Sequence, residues 1–173
     1  MVKKGKRGTS GMLEAHQPDR IAAAFDANYI DYQYIFVEFL IDHLVDVGRV
    51  FRGDYQAVLI LAVLGQSRLN AIRIMRQKLP DSLCSEALAD KTNASRISDI
   101  TGIPRQTVRR KLDTLTERGW AERDSKGAYR LATAGDLSTA RRDLSETDQK
   151  AMYRIARLVA DLNALVERKE TPV

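Results

Sequence analysis

The 173-residue sequence is poor in the residues that build disulfides, metal sites and membrane spans. Its one cysteine, Cys84, excludes an internal disulfide and fits a reducing cytoplasm, and the sequence leaves open whether this thiol is redox-active. His16 and His43 lie far apart, with no cysteine or second histidine at ligand spacing. No apolar run approaches the ~18 residues of a membrane span, and phosphate-binding loops and nucleophile motifs are missing. We therefore expect a cytoplasmic protein with no membrane segment, metal, cofactor or catalytic activity.

Positive charge is concentrated in two parts of the chain. Residues 1–10 carry four Lys/Arg and no acid, and residues 91–142 carry twelve Lys/Arg against six Asp/Glu. The rest of the chain holds twelve basic against seventeen acidic side chains. Such segregation is typical of a protein that docks one face on a polyanion. A solvated basic face without a partner would give the same numbers, so charge alone does not decide.

The first part of the chain predicts a flexible basic arm, residues 1–18, followed by a long helix. Apolar residues from Asp19, a suitable N-cap, follow helical spacing over residues 19–47 and include Phe36 and Leu40. They cover much of the helix circumference. A single partner helix could hardly bury such a surface.

A second helix is expected after a break in the chain. Gly48 and the Arg-Gly-Asp of residues 52–54 indicate the break, with Asp54 as the next N-cap. The helix ends near residue 64 or continues to residue 79, and the pattern over residues 80–91 fits either a short helix or a loop. We assign residues 19–91 to N-terminal helices that serve dimerisation and support the segment that follows.

The stretch that begins with Thr92 shows the pattern of two short helices joined by a tight turn. Thr92 or Asn93 caps a first helix that is expected to turn Ile97 and Ile100 inward. Gly102 supplies the left-handed residue that lets the chain reverse after so short a helix.

The second helix of this pair starts after Pro104, whose missing N–H costs nothing in a first turn. Val108, Leu112 and Leu115 recur at i, i+4 and i+7 and predict its buried stripe. At 100° per residue, the outward side and its flanks carry side chains that bond phosphates and base edges. These candidate DNA-binding residues are Arg105, Gln106, Thr107, Arg109, Arg110 and Thr114. The pattern predicts a recognition helix for the major groove of duplex DNA.

A basic hairpin is expected directly after this helix. Residues 120–123 and 128–131 have the pattern of strands, and residues 124–127 that of a turn closed by glycine. Three further candidate DNA-binding residues, Arg123, Lys126 and Arg130, lie on or near it. A hairpin there can reach the DNA backbone or minor groove beside the major-groove contact. Residues 92–135 are therefore predicted to form a winged helix-turn-helix.

The last segment, residues 136–173, is predicted to form a dimerisation helix. It begins near residue 136 or at the Ser-Glu-Thr-Asp box of residues 145–148 and runs to about residue 169. Its apolar residues step by three and four, as in a helix-pairing seam: Met152, Ile155, Val159, Leu162 and Val166. The seam could pack on the first helix of its own chain. We expect a second chain instead, because the terminal helices together are too apolar for a small helix-turn-helix to cover.

The sequence resembles the winged helix of MarR-type transcription regulators. Residues 106–119, Gln-Thr-Val-Arg-Arg-Lys-Leu-Asp-Thr-Leu-Thr-Glu-Arg-Gly, are similar to the recognition helix of that family, and residues 131–135, Leu-Ala-Thr-Ala-Gly, to the segment after its wing. Residues 55–59, Tyr-Gln-Ala-Val-Leu, look like the start of its second helix. The wing here is shorter than in the family and lacks the Asp-x-Arg of its tip, and the connection over residues 66–91 is longer.

The resemblance implies a sequence-specific regulator of transcription that binds double-stranded DNA. It further implies a homodimeric repressor on a pseudo-palindromic operator, with a small-molecule effector as a further partner. The expected fold is mainly α: a three-helix core with a short β-hairpin wing and long N- and C-terminal dimerisation helices. The alternative is a winged-helix module that binds a protein or RNA through the same surface.

Overall fold

The structure is a computed structural model that describes residues 17–76, 90–135 and 137–168. Cys84, nearly all of the predicted arm and most of the undecided stretch 80–91 lie outside the described residues. The described residues form two compact units. The terminal-helix unit holds those up to His43 and from Ala151 onward, and the winged-helix unit is Leu44–Lys150.

Two helices separated by one residue stand where the sequence predicted a single helix. Helix α1 spans Gln17–Ala27 and α2 spans Tyr29–Phe51, so the first helix begins before its predicted cap, Asp19. Asn28 lies between them, and its side-chain amide and backbone N–H both donate to the Ala24 carbonyl, at 2.9 and 3.2 Å. An asparagine side chain that competes for a helical carbonyl favours a boundary at this position.

Helix α2 runs past Gly48, where the sequence predicted a break. The chain reverses at Arg52 and Gly53, within the other part of the predicted break, and their φ angles of 53° and 78° lie in the left-handed region. Gly48 has a packing role inside the helix. The Tyr55 hydroxyl lies over it and donates to the Leu44 carbonyl at 3.1 Å.

Helix α3, Tyr55–Arg76, supplies much of the core of the winged-helix unit. Asp54 caps it as predicted, because its carboxylate accepts the Ala57 N–H at 3.1 Å. By length and composition alone α3 could also cross a membrane, with a mean hydropathy of 1.4, although the sequence shows no unbroken apolar run. Ile60 and Leu64 of this helix are fully buried in the core of the unit, whereas Leu59 and Leu69 are 50% and 61% exposed.

Helices α4, Ala94–Thr101, and α5, Arg105–Glu117, form the predicted helix-turn-helix. Asn93 caps α4 by accepting the Arg96 N–H at 2.9 Å. Gly102 ends α4 with a φ of 70°, the left-handed conformation that the tight turn requires. The predicted local signals therefore set both ends of α4.

Burial of the two helices follows the predicted stripe with one exception. The α5 stripe is confirmed, since Val108, Leu112 and Leu115 are at most 2% exposed. Ile97 of α4 is fully buried, but Ile100 is 57% exposed, so its predicted inward orientation is wrong. Helix α4 has only eight residues, and Ile103 of the turn is buried in the same core.

A short wing follows α5, in the predicted place. Strand β1, Ala121–Arg123, pairs antiparallel with β2, Tyr129–Leu131, in a register that sets Glu122 opposite Arg130. Thr92, ahead of α4, exchanges two backbone hydrogen bonds with Tyr129 and ties the wing to the helix-turn-helix. The fold is thus mainly α with a two-stranded wing, as the sequence predicted.

A second hairpin after the wing was not predicted. Strands β3, Thr133–Ala134, and β4, Leu137–Ser138, have two residues each, too few to show an alternating pattern. The short helix α6, Thr139–Asp143, follows and is capped by the Ser138 hydroxyl. Helix α7, Ser145–Glu167, begins after a one-residue break, at the second of the two predicted starts of the C-terminal helix.

Trp120 fixes the end of helix α5 inside the winged-helix unit. The indole is 1% exposed, and its N–H donates to the Asp143 carboxylate at 2.9 Å. The Arg118 guanidinium lies 3.5 Å from the centre of its ring, and the Phe51 ring packs edge-on at 5.5 Å. The contacts join the end of α5 to the last residue of α2 and to α6.

Within the terminal-helix unit, α2 and the C-terminal chain meet through opposite charges. Ion pairs between described residues that join them include Arg168–Asp31 at 2.5 Å, Arg157–Glu38 at 3.5 Å and Arg154–Asp42 at 3.9 Å. At 100° per residue the three acids share one side of α2, and most of its apolar residues fall elsewhere. The pairing of these helices within one chain therefore combines ion pairs with apolar contacts, since Ile35 and Phe39 line one cleft with Leu158, and Leu165 is 1% exposed.

Candidate nucleic-acid interface

Helix α5, the predicted recognition helix, presents a polar and basic face outside its buried stripe. Arg105, Gln106, Arg109, Arg110 and Thr114 are exposed, and Thr107 is half-buried. The sequence-predicted residues of this helix therefore share one accessible surface of the winged-helix unit.

Most side chains of this face are available for a ligand. Arg105, Gln106 and Arg109 make no hydrogen bond or ion pair with another of the described residues. Thr114 donates its hydroxyl to the Arg110 carbonyl at 3.1 Å, which leaves oxygen lone pairs as acceptors. Guanidinium groups can bond guanine in two places or bind phosphate, and an amide can bond adenine in two places.

Lys111, next to Arg110 on α5, is held inside the unit. Its ammonium donates to the carboxylate of Asp54, the capping residue of α3. The side chains of Lys111 and Asp54 are only 19% and 29% exposed. Burial alone would raise the pKa of Asp54, but hydrogen bonds from Lys111 and the Ala57 N–H outweigh it and lower the pKa below 3.8. No local signal in the sequence points to Lys111, because its partner lies 57 positions away.

The wing is less basic than its cation count suggests. Arg130 donates to Glu122 across the strands at 2.6 Å and lies 4.0 Å from Asp90. The Arg123 guanidinium packs over the Tyr129 ring, 5.5 Å from its centre. Lys126 is exposed at the turn, and its side chain makes no hydrogen bond or ion pair with the described residues. Of the three predicted wing cations, Lys126 is the one best placed to bind phosphate.

The wing turn is organised by Asp124. Its carboxylate accepts the backbone N–H groups of Lys126 and Ala128, both at 2.9 Å, and the Lys91 ammonium at 3.0 Å. The Ala128 hydrogen bond is the largest of the effects that lower the pKa of Asp124. The hairpin is thus ordered by an acid at its tip, which also neutralises a neighbouring cation.

Arg96 is a further exposed cation of the helix-turn-helix that is not among the predicted residues. It lies in the first turn of α4 and is exposed, and its backbone N–H is used by the Asn93 cap. In helix-turn-helix proteins the first helix crosses the DNA backbone, which suits a cation here. The sequence carried no signal for this residue other than its charge.

The predicted dimer residues lie in the terminal-helix unit and are largely uncovered. Met152, Ile155 and Val159 are 63%, 48% and 51% exposed, and Phe36 and Leu40 are 36% and 38% exposed. Leu162 and Val166 are half-buried. The exposed apolar part of the seam is thus not buried on the chain's own first helix, which was the alternative prediction.

The match to a known protein family lies within the winged-helix unit. A family model described as the IclR helix-turn-helix domain matches residues 86–125, which include α4, α5 and β1. A search of curated proteins finds no match, and neither does a search of solved structures.

The fold and this match define a helix-turn-helix DNA-binding protein of the transcription-regulator class. The matching domain is of the IclR type, whereas the sequence resemblance pointed to the MarR type. The match supports the regulator class without supporting the MarR family, and it covers too little of the chain to assign a family.

Proposed function

We propose that the protein is a cytoplasmic homodimeric repressor that binds a pseudo-palindromic operator. Each subunit places α5 in the major groove, where Gln106 and Arg110 read base edges. Arg105, Thr107, Arg109 and Thr114 contact phosphates or flanking bases, and the wing adds a backbone contact through Lys126. The observation that carries the proposal is the uncovered polar face of α5 opposite a fully buried apolar stripe.

The second subunit in this proposal accounts for the uncovered terminal helices. Ion pairs and some apolar side chains join α2 to α7, but other large apolar side chains such as Ile30, Tyr34 and Ile41 remain 82%, 68% and 56% exposed. Contiguous exposed apolar surface of this kind favours a protein–protein contact. Two copies related by a two-fold axis would bury it and set two recognition helices about one DNA turn apart.

A small-molecule effector enters the proposal through the family resemblance alone. The cleft lined by Ile35, Phe39, Arg154 and Leu158 in the terminal-helix unit has a volume of about 30 Å³. That is room for about one water molecule, whereas effector pockets are roughly ten times larger or more. An effector would need a site other than this cleft.

Titration of a duplex of random sequence at several salt concentrations tests the DNA-binding proposal. Affinity should fall steeply as salt rises, by counterion release from the phosphates. Arg109→Ala should lower the salt slope by about one ion. Arg49→Ala, which removes the same charge from an ion pair within α2, is the matched control and should leave the slope unchanged. Binding without salt dependence, or with a preference for structured RNA, would support an interaction module instead.

A further inference from the structure

The Asp54–Lys111 pair joins the recognition helix to the first turn of another helix. One carboxylate oxygen of Asp54 accepts the Ala57 N–H and caps α3, and the other accepts the Lys111 ammonium. Helix α5 otherwise packs on α3 through apolar side chains such as Leu112, which tolerate small rotations because apolar contact is not directional. An ion pair with fixed donor and acceptor restricts that rotation.

The pair also controls which cations of α5 face the solvent. Lys111 is flanked by the exposed Arg110 and the buried Leu112, and its ammonium is turned toward Asp54 and partly shielded. The Arg110 charge is close enough to contribute to the lowered pKa of Asp54. Without that carboxylate, α5 would present one more mobile cation that binds any phosphate regardless of sequence.

We infer that Asp54 and Lys111 are positioning residues for DNA recognition. Asp54 holds α5 in one orientation on α3 and keeps the Lys111 ammonium away from DNA phosphates, so that binding depends more on base contacts. This inference rests on the proposed function, since it assigns a role in the selectivity of the same surface.

The test compares Asp54→Asn, Lys111→Gln and the double variant in binding to a random duplex. Asparagine at position 54 still caps α3, so the fold is retained. Near 0.1 M salt, the Asp54→Asn variant should bind random DNA about five- to tenfold more tightly than the wild type, because the Lys111 ammonium is released to bind phosphate. Its salt slope should be larger than that of the wild type by about one ion. Lys111→Gln should leave affinity and slope unchanged, and the double variant should match it. Asp46→Asn, the same change of charge at an ion pair within α2, is the control for overall charge.

Two results would overturn the inference. A salt slope lowered by one ion in Lys111→Gln would show that Lys111 already contacts phosphate. Equal behaviour of the Asp54→Asn and Asp46→Asn variants would show that only overall charge matters.

Thermal unfolding without DNA separates this inference from the proposed function. Each single substitution should lower the melting temperature, and the double variant should lose no more than the larger single loss. Additive losses would show that the two side chains do not act as a pair. A wild-type protein that binds no DNA would refute the proposed function and, with it, the role of the pair in selectivity.

Discussion

Replacing Gly48 by alanine tests the packing of the corner between α2 and α3, which carries Asp54. A Cβ at position 48 would lie 2.6 Å from the Tyr55 hydroxyl and 3.3 Å from Cζ of its ring. Alanine is favoured over glycine inside a helix by about 0.8–1.0 kcal/mol. The displaced hydroxyl would lose its hydrogen bond to the Leu44 carbonyl, which contributes about 0.5–1.5 kcal/mol. The two effects nearly cancel, so we expect Gly48→Ala alone to change the free energy of unfolding by less than about 1 kcal/mol.

Removing the Tyr55 hydroxyl should reveal the preference of the helix for alanine over glycine at position 48. In a Tyr55→Phe background the shortest contact is gone, and the half-exposed ring can move by the few tenths of an ångström that the 3.3 Å contact demands. Gly48→Ala should then stabilise by about 0.5–1 kcal/mol. The coupling between the two positions should be about 1 kcal/mol.

Urea unfolding followed by Trp120 fluorescence measures this cycle, because the sole tryptophan is buried in the winged-helix unit. Equal effects of Gly48→Ala in the two backgrounds would refute the reasoning. They would mean that the Tyr55 hydroxyl does not occupy the space over Gly48.

Three further predictions concern the wing, the dimer and the Trp120 cluster. Lys126→Ala should weaken binding to all DNA sequences alike and lower the salt slope by about one ion, whereas Arg130→Ala should change the slope less, because its guanidinium is already paired. A change of base preference at one position in the Lys126 variant would identify a base contact instead. Ile155→Asp should give monomer or aggregate in sedimentation, since a charge in an apolar contact costs several kcal/mol; a wild type that is monomeric at micromolar concentration would contradict the dimer. The Trp120 N–H, with Arg142, holds the pKa of Asp143 below its ordinary 3.8. The stabilisation by the ionised Asp143 carboxylate is therefore complete above pH 3.8, the ordinary pKa. It is lost as the pH falls through the lower pKa that Asp143 has in the folded protein. Trp120 fluorescence should change below about pH 4 in the wild type and not in Asp143→Asn; the same change in both would exclude this carboxylate as its cause.

The sequence predicted the parts of the fold that depend on neighbouring residues. The Asn93 cap, the left-handed Gly102 and the i, i+4, i+7 stripe of α5 are all local signals, and each has its expected place in the structure. Ile100 was assigned the wrong side because two apolar residues in an eight-residue helix do not fix its orientation. The two-residue strands β3 and β4 are stabilised by hydrogen bonds that no side-chain pattern records.

The exposed face of the candidate site could be predicted from the sequence, but the ion pairs around it could not. The outward residues of α5 follow from helix geometry once the buried stripe is known. The pairing of Lys111 with Asp54, and of Arg130 with Glu122, depends on how α3 meets α5 and on the strand register. Such contacts decide which cations stay free for a ligand, and a charge count along the sequence cannot separate them from paired ones.

Selection of bound duplexes from a random DNA library tests most directly whether α5 reads bases. The wild type should enrich two inverted half-sites whose centres lie about 10 base pairs apart. Gln106→Ala and Arg110→Ala should each relax the preference at one base pair per half-site, at a cost of roughly 1–3 kcal/mol in specific binding, without loss of stability. No enriched motif, or the same motif at the same affinity in both variants, would contradict the placement of this helix in the groove.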